Sequence, residues 1–191
     1  MELKAFLDDP KAATRFDRMS RVITVLLLTG QRRGELAAAK WSDIDFRAKT
    51  WTIRDEVSKN GKGHVLPLTD WVIDELKVLK AEGEGSPWVL PSMPGSATPL
   101  DARHLTRAVR KCQKRFKARG IGAFTLHDLR RTCRTGLSRL RVEPHIAERV
   151  LNHVQPGIVG TYDRHAYLDE KREALEKWEA HLNALQDREA D

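Results

Sequence analysis

The sequence has little of what several common functions require. Two cysteines, Cys112 and Cys133, stand in 191 residues. They fall in helical patterns without metal-ligand spacing, so a disulfide framework and a thiolate zinc site are excluded, and two reduced thiols of a cytosolic protein are expected. The longest apolar run, residues 22–28 with Thr24 inside it, is too short to cross a bilayer and reads as a buried helix. The opening MELKAFLDDP mixes acids and bases without an apolar core, so no secretory signal and no membrane partner are expected. A GxxxxGK[ST] loop is missing, which argues against nucleotide hydrolysis. Asp8-Asp9 is the one Asp-Asp pair, and no acidic constellation suits a two-metal nuclease. Internal repeats and low-complexity tracts are lacking too. Tyrosine is the scarcest aromatic, present only at Tyr162 and Tyr167.

What is present leans basic. Lys and Arg number 34 against 27 Asp and Glu, and the net charge of +7 favours a polyanionic partner without requiring one. The length suits one domain with a real core, or at most two small ones.

Three blocks follow one another. In the first, residues 1 to about 48, a helix over 16–29 stops at Gly30 and a second runs from near Arg33 through ELAAAKW until SDID closes it. The second block changes period. TWTIRDEV alternates, KNGKG interrupts and HVLPL resumes, which predicts an antiparallel pair joined by an Asn-Gly-containing turn. A helix is predicted over 69–81, capped by Thr69 or Asp70. GEGSPWVLPSMPGSATPL is then mostly loop, with room for a short strand at 88–90. The third block is helical, over 101–119, 127–140, 144–151 and 169–184. The last of these opens on an Asp-Glu pair that suits the positive end of a helix dipole. The fold class is α+β, mostly α-helical, with a small antiparallel sheet.

The candidate chemical groups each have a plain alternative. Arg32, at a helix-to-helix turn, can fork two donors onto a phosphate or carboxylate, although most turn arginines are solvated. Lys59 and Lys62 sit in the predicted hairpin turn. There a lysine serves solubility, or carries a general acid on a mobile arm, and spacing does not choose between them. His127 and Arg130, in LHDLRRT, are helix neighbours three apart and share a face, as an anion site or as a cap and a surface cation. His153, in VLNHVQPG, follows a helix in a turn that leaves a side chain free to point into a cleft; most such histidines are structural. Tyr162, in GIVGTYDRH, need not be a core aromatic. A phenol becomes a nucleophile when cations and a base surround it.

Five segments, TGQRRGELAAAKWSDID, SKNGKGHVLPLT, LHDLRRT, LNHV and GTYDRHAYLDEKREALEKWEAHL, resemble in order the catalytic domain of tyrosine recombinases, and most of all the integrases of phages and genomic islands. Tyr162 lies nine positions after His153, which suits the family's spacing. The resemblance implies that Tyr162 attacks the scissile phosphate, leaving a 3′-phosphotyrosyl link and a free 5′-hydroxyl. Arg32 and Arg130 would clamp the non-bridging oxygens and His153 would add a hydrogen bond. Lys59, which enters the turn, would protonate the leaving oxygen in preference to Lys62, and His127 would help take the proton from Tyr162. No cofactor or metal is implied.

The implied partners are double-stranded DNA at attachment sites, a homotetramer in the synaptic complex, and accessory proteins for DNA bending and excision. The setting is cytoplasmic. Residues 1–168 would be the catalytic domain, without the arm-binding and core-binding domains that precede it in the family. Such a chain is expected to bind DNA weakly, with strong salt dependence, and to recombine little by itself. Residues 169–191 would be a helix and tail of the kind that packs on a neighbouring subunit, although Leu175, Trp178 and Leu182 equally suit cover of its own core. A type IB topoisomerase-like enzyme and a non-catalytic DNA-binding remnant are the rival readings.

Overall fold

The computed structural model describes residues 15–117, 120, 122–153 and 165–187. At its centre is α1 (Arg15–Thr29). Val22, Ile23, Thr24, Val25, Leu26, Leu27 and Leu28 are all buried, so this stretch is enclosed on every side, as a central helix must be. It packs against α3 (Asp70–Glu82), α5 (Leu126–Arg139) and α7 (Leu168–Asp187). Gly30, at φ +65°, ends α1, with its amide donating to Leu26 O at 3.0 Å. Only glycine takes that conformation freely.

The short helix α2 (Arg33–Ala37) ends four residues before Trp41, where the local pattern would carry it further. The reason is tertiary. Ala39 and Lys40 run extended against the loop after α3: Val89 N donates to Ala39 O at 3.0 Å, and Lys40 bridges to Trp88. A 3₁₀ turn (Trp41–Asp43) follows, and SDID supplies an edge strand, β1 (Ile44–Asp45), in place of a closing turn.

β2 (Thr50–Ile53) pairs antiparallel with β1 on one side and β3 (His64–Pro67) on the other, with Trp51 opposite Leu66 and Ile53 opposite His64. Trp51 and Ile53 point into the core and Thr52 points out, the alternation expected of a half-buried strand. The connection is longer than a tight Asn-Gly turn. The predicted strand stops at Ile53 because Arg54 is drawn aside, donating to Asp43 Oδ2 at 3.2 Å and to Ala38 O at 2.9 Å. Val57 N and Ser58 N then fold back onto Arg54 O. The turn bearing Lys59 therefore hangs from the sheet as a separate ten-residue loop, residues 54–63.

α4 (Ala102–Lys117) buries Leu105, Val109, Cys112 and Phe116. α5 begins with a reciprocal cap: Asp128 Oδ2 accepts from Thr125 N at 2.9 Å, and Thr125 Oγ1 accepts from Asp128 N at 3.3 Å. α6 (Pro144–Val150) starts with proline at a position where no amide is needed. Both cysteines are buried. Among the described residues no helix is long and apolar enough to cross a membrane.

α7 covers the core of its own chain through Ala174, Leu175, Trp178 and Leu182. The Trp178 indole N–H donates to Leu27 O at 3.0 Å, and its ring lies where a side chain on Gly136 would be: a Cβ there would stand 2.3 Å from Trp178 Cζ3. Gly136→Ala is therefore expected to lower the unfolding free energy by about 2 kcal/mol through overpacking. Gly34→Ala, whose Cβ meets nothing within 4 Å, should leave it unchanged or slightly raised. Urea titration of the two variants beside the parent checks both.

Candidate active site

Helices end where this site begins. Arg32 is the N-cap of α2, its backbone extended at φ −77° and ψ 143°. Three residues on, Glu35 is 1% exposed, and its carboxylate accepts from Arg32 N at 2.9 Å and from Arg32 Nη1 at 2.8 Å. A buried carboxylate without a cation would cost several kcal/mol, so Arg32 and Glu35 hold each other in place.

Arg130, on α5, is 4% exposed. Its Nη1 donates to Gly30 O at 2.8 Å and its Nη2 to Leu151 O, which are carbonyls at the C-terminal ends of α1 and α6. Burial and the neighbouring Arg32 push its pKa down to about 10, so it stays charged at neutral pH. Two donors are used inward, and the guanidinium still lines a cavity of about 490 Å³.

That cavity collects Arg32, Lys59, His127 and Arg130 from α2, the 54–63 loop and α5, with Gln31, Glu35 and Val57 between them. Lys62 is not among the residues that line it, and its carbonyl is occupied by Asn152 Nδ2 at 2.7 Å. His127 is exposed at the first turn of α5. Partial desolvation, then the charges of Arg131 and Arg130, lower its pKa, which favours the neutral imidazole able to accept a proton.

His153 does not line the cavity. Its Nδ1 is paired with Glu148 Oε2 five residues earlier, and Glu148 Oε1 also accepts from Arg134 Nε at 2.8 Å. Burial alone would raise the Glu148 pKa, but the hydrogen bonds from Arg134 and His153 win and hold it low. The contact engages Nδ1 and leaves Nε2 as the ring nitrogen that Glu148 does not hold. The histidine of VLNHVQPG is thus paired with Glu148, two residues beyond the carbonyl that Arg130 grips. Tyr162 lies outside the described residues.

Sequence reading missed Glu35, Glu148 and Asn152. The Arg-x-x-Glu spacing at residues 32–35 is a capping signal that points to Glu35. No local signal points to the other two, because their partners depend on how α6 is set against α5 and against the sheet. Among the described residues no group of three or more His, Cys, Asp or Glu side chains is placed to hold a metal ion.

Residues 1–168 match the model of the phage integrase family. The chain is 29% identical over 154 residues to the prophage integrase IntA of Escherichia coli K12, covering 80% of this chain and 36% of that one. Among solved structures, the integrase of mycobacterium phage Brujita superposes with a TM-score of 0.70 at 16% identity, over 96% of this chain and 60% of that one. The lambda integrase tetramer bound to a Holliday junction gives 0.58 at 22% identity, over 89% of this chain and 47% of that one. These likenesses establish the mostly helical fold with its small antiparallel sheet. The chain spans a little over a third of the length of the curated relative.

Beside the cavity, His64 opens β3 with neither ring nitrogen hydrogen-bonded among the described residues. Burial, then Lys171, Arg130 and Arg32, push its pKa from 6.5 down to about 3. Between those values the unfolded chain binds a proton that the folded chain refuses, so stability is complete above pH 6.5 and falls as pH drops toward 3. From pH 7.5 to pH 5 the parent is expected to lose about 2 kcal/mol more than His64→Phe. Urea unfolding of both proteins at the two pH values tests this.

Proposed function

The chain belongs to the phage integrase family, and on that premise we propose that it cleaves and rejoins double-stranded DNA in site-specific recombination, through a tyrosine-linked intermediate. The observation that carries the reading is the convergence of Arg32, Lys59, His127 and Arg130 on one cavity from separate parts of the chain. Arg32, Lys59 and Arg130, joined by Arg33 on the same lining, and the imidazole of His127 around one space suit a phosphodiester whose negative charge grows during attack.

In this mechanism the Tyr162 oxygen attacks phosphorus as its proton passes to His127, whose lowered pKa makes it an acceptor near neutrality. Arg32 and Arg130 bind the non-bridging oxygens. Because Glu35 and two carbonyls already fix them, they stabilise the transition state without reorganising. His153, with Nδ1 held by Glu148, offers Nε2 as a further hydrogen-bonding group. As the bond from phosphorus to the 5′-oxygen breaks, Lys59 delivers a proton to the leaving oxygen. The tyrosyl ester keeps the bond energy, and attack by a 5′-hydroxyl of another strand reverses the step without ATP.

Duplex DNA as the partner is supported by α4, whose N-terminal residue Ala102 borders the cavity. The helix exposes Arg103, His104, Arg107, Arg110, Lys111 and Lys117, and no carboxylate stands in its sequence. Such a stripe reads phosphates rather than bases. A tetramer of chains, as in the lambda integrase complex, and association with DNA-bending or excision proteins complete the reading. Residues 1–168 act as the catalytic unit and 169–191 as its tail.

Covalent trapping tests the chemistry. Nicked duplexes of randomised sequence, in which the short fragment released by cleavage diffuses away, should leave a protease-sensitive protein–DNA adduct with the parent and none with Tyr162→Phe. Arg130→Ala should reduce the adduct at least a hundredfold, because a buried preorganised charge is lost. No adduct from the parent at any protein concentration would leave a DNA-binding remnant and defeat the proposal. Separately, Arg107→Ala with Arg110→Ala should flatten the slope of log affinity against log salt by about 2, read by fluorescence anisotropy.

A further inference from the structure

The loop that carries Lys59 is fastened to the residue just past α6 by the side chains of two asparagines. Asn152 Nδ2 donates to Lys62 O at 2.7 Å and to Ser58 Oγ at 3.2 Å. In return, Asn60 Nδ2 donates to Asn152 O at 3.1 Å. Within the loop, Asn60 Oδ1 accepts from Ser58 Oγ at 2.7 Å and from Lys62 N at 3.0 Å. Both immediate neighbours of Lys59 therefore belong to a clasp whose other half lies more than 90 residues away in the chain, beside His153.

Asn152 is shaped for this. Its φ of +51° is left-handed, a conformation that asparagine tolerates better than most residues. It stands just past α6, where helix carbonyls lack partners. Lys59 itself is exposed on a long flexible side chain, so its position over the cavity depends on the backbone of its loop.

We propose that Asn152 is the positioning residue for the general acid, clasping the 54–63 loop so that Lys59 faces the leaving oxygen in register with His153. The proposal rests on the recombinase reading of the site. A lysine held only by a free ten-residue loop spends most of its time elsewhere, and misplacement by about 1 Å is enough to cost up to a hundredfold in rate. The clasp also separates the two lysines of the turn. It fixes Lys62 through its carbonyl, away from the residues lining the cavity, and leaves the Lys59 side chain to enter.

The test exploits the leaving group. An ordinary 5′-oxygen needs a proton to depart, whereas a 5′-bridging sulfur leaves as a stable thiolate and needs none. The full chain is given the nicked duplex that yields the most adduct, made with oxygen or with sulfur at the cleaved bond. Asn152→Gly keeps the left-handed backbone but removes the donors. It should form adduct tenfold or more slowly on the oxygen substrate and within twofold of the parent on the sulfur substrate. Lys59→Ala should show the same split. Asn60→Ala, which breaks the return strap without touching the left-handed residue, should show it in milder form.

Equal slowing on both substrates in Asn152→Gly and Asn60→Ala alike, or no slowing in either, overturns the role of the clasp while the recombinase reading stands. A parent that forms adduct on neither substrate defeats that reading itself, and the clasp with it.

Discussion

A buried guanidinium joining two helix ends is the interaction on which the rest of this structure depends. Arg130 draws Gly30 O, just past α1, and Leu151 O, just past α6, onto one planar group. Taking a charge out of water is costly, and the fall of its pKa to about 10 records that cost. The carbonyl ends of two helices offset it, because each carries partial negative charge and lacks a donor partner within its own helix. The chain thereby keeps a fixed positive charge under the cavity floor, with the packing around it supplied by Leu129, Cys133 and Leu137 of the same helix. Gly30 belongs to the same arrangement, since a Cβ there would lie 2.6 Å from Leu151 Cδ2.

The carbonyls that end α6 extend the idea. Val150 O accepts from Gln31 Nε2 at 2.8 Å, Leu151 O from Arg130, and Asn152 O from Asn60 Nδ2. Three consecutive carbonyls are taken by side chains from three distant parts of the chain: the turn after α1, helix α5 and the loop of the sheet. Satisfying the end of one short helix is thus the same act as assembling the site. Buried backbone acceptors must find donors, and here the donors are Arg130 itself and the neighbours of Arg32 and Lys59.

Electrostatics in this assembly favour a stationary frame over mobile charge. Glu35 fixes Arg32, Glu148 stands between Arg134 and His153, and His64 stays neutral against three surrounding cations. Lys171, 3% exposed and donating to Val65 O, ties α7 to β3, the edge strand that His64 opens; burial, then Arg149, push its pKa down to about 8. Each of these groups surrenders some solvation on folding, so that little movement is needed when an anion arrives. Preorganisation of this kind is what makes fixed dipoles and charges effective in a site.

Local sequence was enough for much of this. The helices and their approximate ends were legible from apolar spacing and caps, as were the change of period into a small sheet and four candidate side chains, Arg32, Lys59, His127 and Arg130, that share one cavity. Where local reading went astray, distant partners had outcompeted propensity: α2 gives way to the pairing of Ala39 and Lys40 with Trp88 and Val89, and β2 stops where Arg54 is drawn to Asp43 and Ala38. Spacing could put His127 beside Arg130, because a helix makes neighbours of residues three apart. It could not put Asn152 beside Lys62 or Gly30 beside Arg130. Those meetings follow from how α5, α6 and the sheet pack on α1, and a hydrogen bond between residues a hundred positions apart leaves no mark on the order of residues near either end.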